Sequence, residues 1–205
     1  MKIIWKETSS KDSIFNKGFV LSSPNLKNKH KILAVDLDHT LIDTDMIWEG
    51  LKYILVRGIY NLPKLILLLT FKGKTYAKKF LFDKTNIDIK TLPFNKGVIN
   101  FINQHKSDYN HIILISGSYH KYVEKIAEHL DIFDSSVGTT LGTNMISENK
   151  ILFLNQKFKN FVFDYIGDNK KDIPIWEESN IAYVVDNGNI INHIKHIDYK
   201  IVQKK

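Results

Sequence analysis

Cysteine is absent from the 205 residues. Disulfide scaffolds, cysteine-ligated zinc or iron–sulfur centres and thiol nucleophiles are therefore excluded. Glycine and proline are sparse, at 10 and 4, which removes collagen-like and Pro/Gly-rich disordered classes. Arginine occurs once, at Arg57. The other basic residues are lysines, scattered with no block of five or six. Nucleic-acid readers rely on arginine for bidentate base contacts, so nucleic acid is not an expected partner. Long hydrophobic runs are missing too. The most apolar stretch, IYNLPKLILLLTF (59–71), falls short of the roughly 20 residues a bilayer span needs, and Pro63 and Lys64 interrupt it. A buried, packed helix is the expectation there; an interfacial helix is the alternative. The start, MKIIWKETSSKDSIFNKG, is broken by charge within six residues and has no apolar core. No secretory signal is read in it. The expected location is cytoplasmic, with peripheral membrane contact as the alternative.

What is present is ordinary for a globular domain: 43% hydrophobic and 25% charged residues, with a formal charge of +7. The basic balance admits anionic partners without choosing among them. Residues 1–30 have weak periodicity and read as an N-terminal extension. KILAVDL (31–37), HIILIS (111–116), FVFDYIGD (161–168) and IAYVVD (181–186) are continuous apolar runs of the length of buried parallel strands. Helical periodicity covers 43–82, with breaks at Gly58 and at 61–63. It returns at 96–106, at 119–130 and over DIPIWEES, and a linker, TNIDIKTLPFN, lies between. Alternating strands and helices predict an α/β domain with a parallel sheet.

In such sheets the working residues follow the carboxyl ends of the strands. Asp36-Leu37-Asp38-His39-Thr40 follows the first run, Ser116-Gly117-Ser118 the second, and Gly167-Asp168 with Asp172 the third. Asp36 and Asp38 are two apart, so both carboxyls can face one pocket. Clustered carboxylates are tolerated best around a cation, and an all-oxygen donor set suits Mg²⁺. Mg²⁺, a lysine ammonium, a serine hydroxyl and backbone N–H groups suit a phosphoryl group. A carboxylate can attack phosphorus to give an aspartyl-phosphate. Lys150 opens the apolar segment KILFL between the second and third runs, and Lys157 and Lys159 lie nearby. Asp43 and Asp45 read as helix N-caps, with substrate contact as the alternative, and His39 as a spacer.

The order Asp-x-Asp-x-Thr, Ser, Lys, Gly-Asp-x-x-x-Asp resembles the haloacid dehalogenase (HAD) superfamily of phosphatases and phosphotransferases, over residues 31–186. In response-regulator receivers the lysine comes last, whereas here Lys150 precedes Asp168. The resemblance implies a HAD-like Rossmannoid parallel sheet with helices on both faces and a small helical cap inserted after the first strand. It implies Asp36 as nucleophile and Asp38 as general acid/base. Thr40, Ser116, the Gly117 amide and Lys150 would bind phosphate. Asp36, Asp38 (through its carbonyl), Asp168 and Asp172 would hold Mg²⁺. The 80 residues between Asp36 and Ser116 exceed the roughly 30 of a minimal βαβ unit. The excess places a cap at 45–90, with the core at 31–44 and 91–205. DLDHTLIDTD with a helical insertion resembles the phosphoserine-phosphatase-like branch. DLDHTLIDTDMIWEGL, TLPFN and FDYIGDNKKDIPIW are similar to the HAD domain associated with 4-hydroxybenzoate polyprenyltransferase-type proteins.

The expected activity is a Mg²⁺-dependent phosphomonoester hydrolase. Its partner is a small phosphorylated metabolite or an isoprenoid or lipid phosphate ester. The alternatives are a phosphotransferase with the same intermediate and a non-catalytic HAD module that binds a membrane or a protein.

Overall fold

The computed structural model describes residues 30–185, 188 and 190–204. The N-terminal extension expected at 1–30 lies outside them, apart from His30. The chain runs β1 (His30–Val35), α1 (Met46–Arg57), α2 (Leu62–Phe71), α3 (Lys74–Lys84), α4 (Lys96–His105), β2 (His111–Tyr119), α5 (His120–Leu130), β3 (Ser135–Thr139), α6 (Glu148–Lys157), β4 (Phe161–Gly167), α7 (Ile173–Glu178), β5 (Ala182–Val185) and β6 (Tyr199–Val202). The six strands form one sheet in the order β3-β2-β1-β4-β5-β6, and every pairing is parallel.

The apolar runs have no polar face because both sides of the sheet are covered. Leu33, Val35, Ile112 and Leu114 pack with α4 and α5 residues such as Ile102 and Ile126 on one side. Ile32, Ala34, Ile113 and Ile115 pack with Phe153 of α6 and Trp176 of α7 on the other. The period of two thus divides each strand between two cores.

Two strands beyond the four expected are present. β3 reads SSVGT and β6 reads YKIV, with two of its four residues exposed; neither gives the apolar run that marks a buried strand. The helical stretch 43–82 resolves into three helices. The first break, at Gly58, is as expected. The break between α2 and α3 falls at Gly73, whose φ of +88° is readily adopted only by glycine. α1 starts at Asp45, whose side chain accepts from the Trp48 amide at 2.8 Å. Asp43 does not cap; it pairs with Lys204 at 2.8 Å.

The expectation of a buried helix at 59–71 is overturned. Leu65 is its one buried large apolar residue, while Ile59, Tyr60, Ile66, Leu67, Leu69 and Phe71 are all exposed. The insert is only three short helices around a small core of Ile54, Leu65, Ala77, Phe80 and Leu81. Among the described residues no other layer covers the second side of α2.

Candidate active site

Strands β1 and β4 are neighbours at the point where the strand order reverses, and such points open a crevice at the carboxyl ends. Asp36 leaves β1 with its N–H still donating to Ile166 O of β4 at 2.9 Å. Asp168 leaves β4 one residue after Gly167. Both carboxyls are therefore fixed by the two central strands. A Cβ on Gly167 would fall 2.7 Å from an Asp172 carboxyl oxygen, so the lack of a side chain there lets Asp172 fold back under the turn.

Four buried groups form a chain of contacts. Lys150, in the first turn of α6, donates to Asp36 Oδ1 at 2.6 Å and to Tyr165 Oη at 2.7 Å. Tyr165 donates to Asp172 Oδ1 at 2.8 Å. Asp172 Oδ2 accepts from the amides of Asp168 and Asn169, each at 3.2 Å. Asp168 Oδ1 accepts from Asn169 Nδ2 at 3.0 Å and Thr40 Oγ1 at 3.3 Å. Lys157 lies seven residues further along α6, about 10 Å away along its axis, and Lys159 is exposed. Lys150 is the lysine brought to Asp36.

Asp38 is held separately. Its Oδ1 accepts from the Met46 amide at 2.9 Å, at the start of α1. Its Oδ2 accepts from Ser118 Oγ at 2.7 Å and Ser116 Oγ at 3.2 Å. β2 continues past Ser116 to Tyr119, and its pairing with β3 shifts register between Ile115 and Tyr119. Such irregularities re-aim side chains, and here both serines point at Asp38. A Cβ on Gly117 would meet the Ile146 side chain at 2.8 Å; the strand backbone there lies close against its neighbour. His39 is exposed and left-handed, with φ +62°.

The electrostatics follow from crowding. Asp36 and Asp172 lie 2.6 and 3.8 Å from the buried Lys150 ammonium, and Asp38 and Asp168 flank them. Burial pushes Asp36 well above the usual carboxylate range, against the pull of Lys150, and Asp172 and Asp38 push it further. Burial also raises Asp38, although the Met46 amide and Ser118 oppose the shift. Asp168 is raised to about 6, by burial first and by Asp172 second. Burial disfavours the charge on Lys150, but Asp36 and Asp172 outweigh it and keep its pKa above the ordinary lysine value. Asp36, Asp168 and Asp172 each offer an oxygen, all within 4.8 Å of one another. Buried hard oxygen donors that resist ionisation without a counter-charge fit a divalent cation such as Mg²⁺.

Two contributors, Tyr165 and Lys78, carry no mark in the sequence, and a third, Ser118, stands there only as a secondary contact for phosphate or solvent. Tyr165 sits mid-strand and bridges Lys150 and Asp172. Ser118 makes the shorter bond to Asp38; its place two residues after Ser116 is the signal that points to it. Lys78 of α3 reaches in from the insert, donating to Gly117 O at 2.5 Å and Asn144 Oδ1 at 2.7 Å. Burial lowers its pKa to about 8, with Asp38 opposing and Lys171 and Lys74 assisting. Nothing in the helical pattern marks Lys78 apart from its neighbours.

The same architecture occurs in solved structures. A protein of unknown function from Bordetella pertussis Tohama I superposes with a TM-score of 0.66 at 12% identity, covering 87% of this chain and 100% of that one. A phospho-aspartyl intermediate analogue of phosphoserine phosphatase gives 0.55 at 17% identity, over 87% of this chain and 95% of that one. The fold is HAD-like. These likenesses carry the fold and leave the reaction to be argued from the residues. In sequence, the protein y4nM of Sinorhizobium fredii, itself uncharacterized, is 28% identical over 159 residues, 76% of this chain. The chain spans about 30% of the length of that relative. No protein-family model matches the chain.

Proposed function

We propose that this chain is a Mg²⁺-dependent phosphomonoester hydrolase working through a phosphorylated Asp36. One observation carries the reading: two carboxyls two residues apart are held in opposite ways. Asp36 is clamped by an ammonium at 2.6 Å, which fixes its orientation and keeps an oxygen available for attack. Asp38 is held by neutral donors only, and its raised pKa suits a group that must carry a proton.

Asp36 attacks phosphorus and the bond to the ester oxygen breaks. Asp38 delivers its proton to the departing oxygen. It then takes a proton from the water that attacks the acyl phosphate, which frees inorganic phosphate and restores Asp36. Lys150, Ser116 and the Gly117 amide balance the charge on the phosphoryl oxygens, and Thr40 steadies Asp168. Mg²⁺ held by Asp36, Asp168 and Asp172, with the Asp38 carbonyl, would neutralise the crowded carboxyls and the phosphoryl charge. Residues 45–90 act as a cap over this site, on a core formed by 31–44 and 91–205. Lys78 ties that cap to the Gly117 turn, which supports a role in admitting substrate. The substrate class is a small phosphorylated metabolite or an isoprenoid or lipid phosphate ester. The apolar insert and the likeness to prenyltransferase-associated HAD domains support the second.

The test is release of inorganic phosphate from a panel of esters, including polyprenyl phosphates, sugar phosphates and phosphoserine, with and without Mg²⁺. Asp36→Asn is expected to abolish release while melting no lower than the parent chain. Full activity in that variant would falsify the mechanism.

A further inference from the structure

The insert carries a surface that no other described residue covers. Fourteen large hydrophobic side chains are exposed among the described residues, and eleven of them fall between positions 47 and 76. Val56, Tyr60 and Phe71 are 82%, 80% and 79% exposed. A helix that faces water on one side is normally polar there. α2 is not: Leu62, Leu65 and Leu68 turn to the insert core, yet Ile66, Leu67 and Leu69 face outward. Patches of this kind mark interaction sites.

The charge around the patch says what it meets. Positions 50–82 contain seven basic residues and no acidic one. Arg57, Lys64, Lys72 and Lys74 are exposed, and none pairs with a carboxylate among the described residues. The Lys64 ammonium and the Arg57 guanidinium lie 5.5 and 5.8 Å from the ring centres of Phe80 and Tyr53, so both cations sit over aromatic faces of the insert and stay exposed to solvent. Apolar and aromatic side chains ringed by cations of one sign complement an anionic lipid surface. A second copy of the chain would bring the same cations into the interface, where like charges repel. Spanning is disfavoured by shape. No single described helix is long and apolar enough to cross a membrane, and Met46–Arg57 and Ile59–Phe71, which suffice together, are bent by 118°.

We propose that the outer face of α1 and α2 docks flat on the surface of an anionic lipid bilayer. The helices lie in the headgroup region, with Tyr60, Leu67 and Phe71 inserted and Arg57, Lys64 and Lys72 at the level of the lipid phosphates. Docking involves none of the groups that act on phosphorus, so it stands or falls independently of the proposed hydrolysis.

Co-sedimentation with vesicles tests it. The chain is expected to partition onto phosphatidylglycerol-containing vesicles, weakly onto pure phosphatidylcholine, and less as salt rises. A cation near an anionic leaflet contributes about 1 kcal/mol, or about fivefold in partitioning. Lys64→Gln with Lys72→Gln should therefore weaken binding roughly 25-fold. Leu67→Glu with Phe71→Glu should abolish it, and Tyr60→Ser gives an independent arm if that pair fails to fold. Circular dichroism checks the fold of each variant. Asp36→Asn should bind as the parent does, whether or not the chain hydrolyses esters. Absence of binding to anionic vesicles, or binding unchanged in well-folded variants, overturns the proposal. So does a dimer in sedimentation velocity that the Leu67 and Phe71 substitutions dissolve, because the face would then belong to a second copy.

Discussion

Replacing Asp168 by asparagine should make the metal-free protein more stable, not less. Asp168 is 2% exposed and its pKa is raised from 3.8 to about 6. A carboxyl whose folded value lies above its unfolded value holds its proton more tightly in the folded state. Its contribution is full below pH 3.8 and is lost as the pH rises through about 6. At about 1.4 kcal/mol for each pH unit, keeping it ionised at neutral pH costs the fold about 3 kcal/mol. Asparagine retains the oxygen that accepts from Thr40 and Asn169 and removes the charge facing Asp172. The expected gain in EDTA at pH 7.5 is up to about 3 kcal/mol, or about 6–12 °C in Tm for a domain of this size. At pH 4.5 the gap should narrow to about 1 kcal/mol, and it closes only below pH 3.8. Mg²⁺ should raise the Tm of the parent at pH 7.5 and leave the variant nearly unmoved. Thermal unfolding followed by circular dichroism at both pH values, with EDTA or Mg²⁺, measures all four quantities. An Asp168→Asn protein that is less stable in EDTA, or that gains as much from Mg²⁺ as the parent, would refute the reasoning.

Two further outcomes follow from the contacts. Tyr165→Phe removes a hydroxyl that accepts from Lys150 and donates to Asp172. A cost of about 1–3 kcal/mol in denaturant unfolding is expected, together with a fall in turnover that Tyr165→Leu deepens and no change of substrate restores. Lys78 loses its charge near pH 8, so kcat/KM of the parent should decline above that pH; Lys78→Met should be lower throughout and show no such decline.

The sheet was legible where its strands were wholly apolar. β1, β2, β4 and β5 are buried on both faces, and that leaves a hydrophobic run in the chain, interrupted in β4 by Asp164, which accepts from Tyr109 and Asn180. β3 and β6 lie at the two edges of the sheet, where small or polar residues suffice, and they left no such mark. β2 was read three residues short, because Ser116, Gly117 and Ser118 look like a loop although the backbone continues as an irregular strand. The carboxyl cluster was legible because each acid follows a strand at a fixed offset. Lys78 was not, since its place depends on how α3 packs over the sheet, and spacing within the helix holds no record of that. The exposure of 59–71 escaped for the related reason that hydrophobicity reports what a segment avoids, not whether the same chain covers it.

The bond from Asp36 N–H to Ile166 O carries a consequence for motion. Asp36 and Asp168 hang on the central strands of a six-stranded sheet, and such strands separate only when the whole sheet opens. Lys78 arrives instead on an insert whose own core is five side chains, and units of that size open on their own. The molecule is thus divided into a part that keeps time with global unfolding and a part free to breathe far more often. Under the proposed capping role, traffic to and from Asp36 would run on the faster clock, without loosening the slower one.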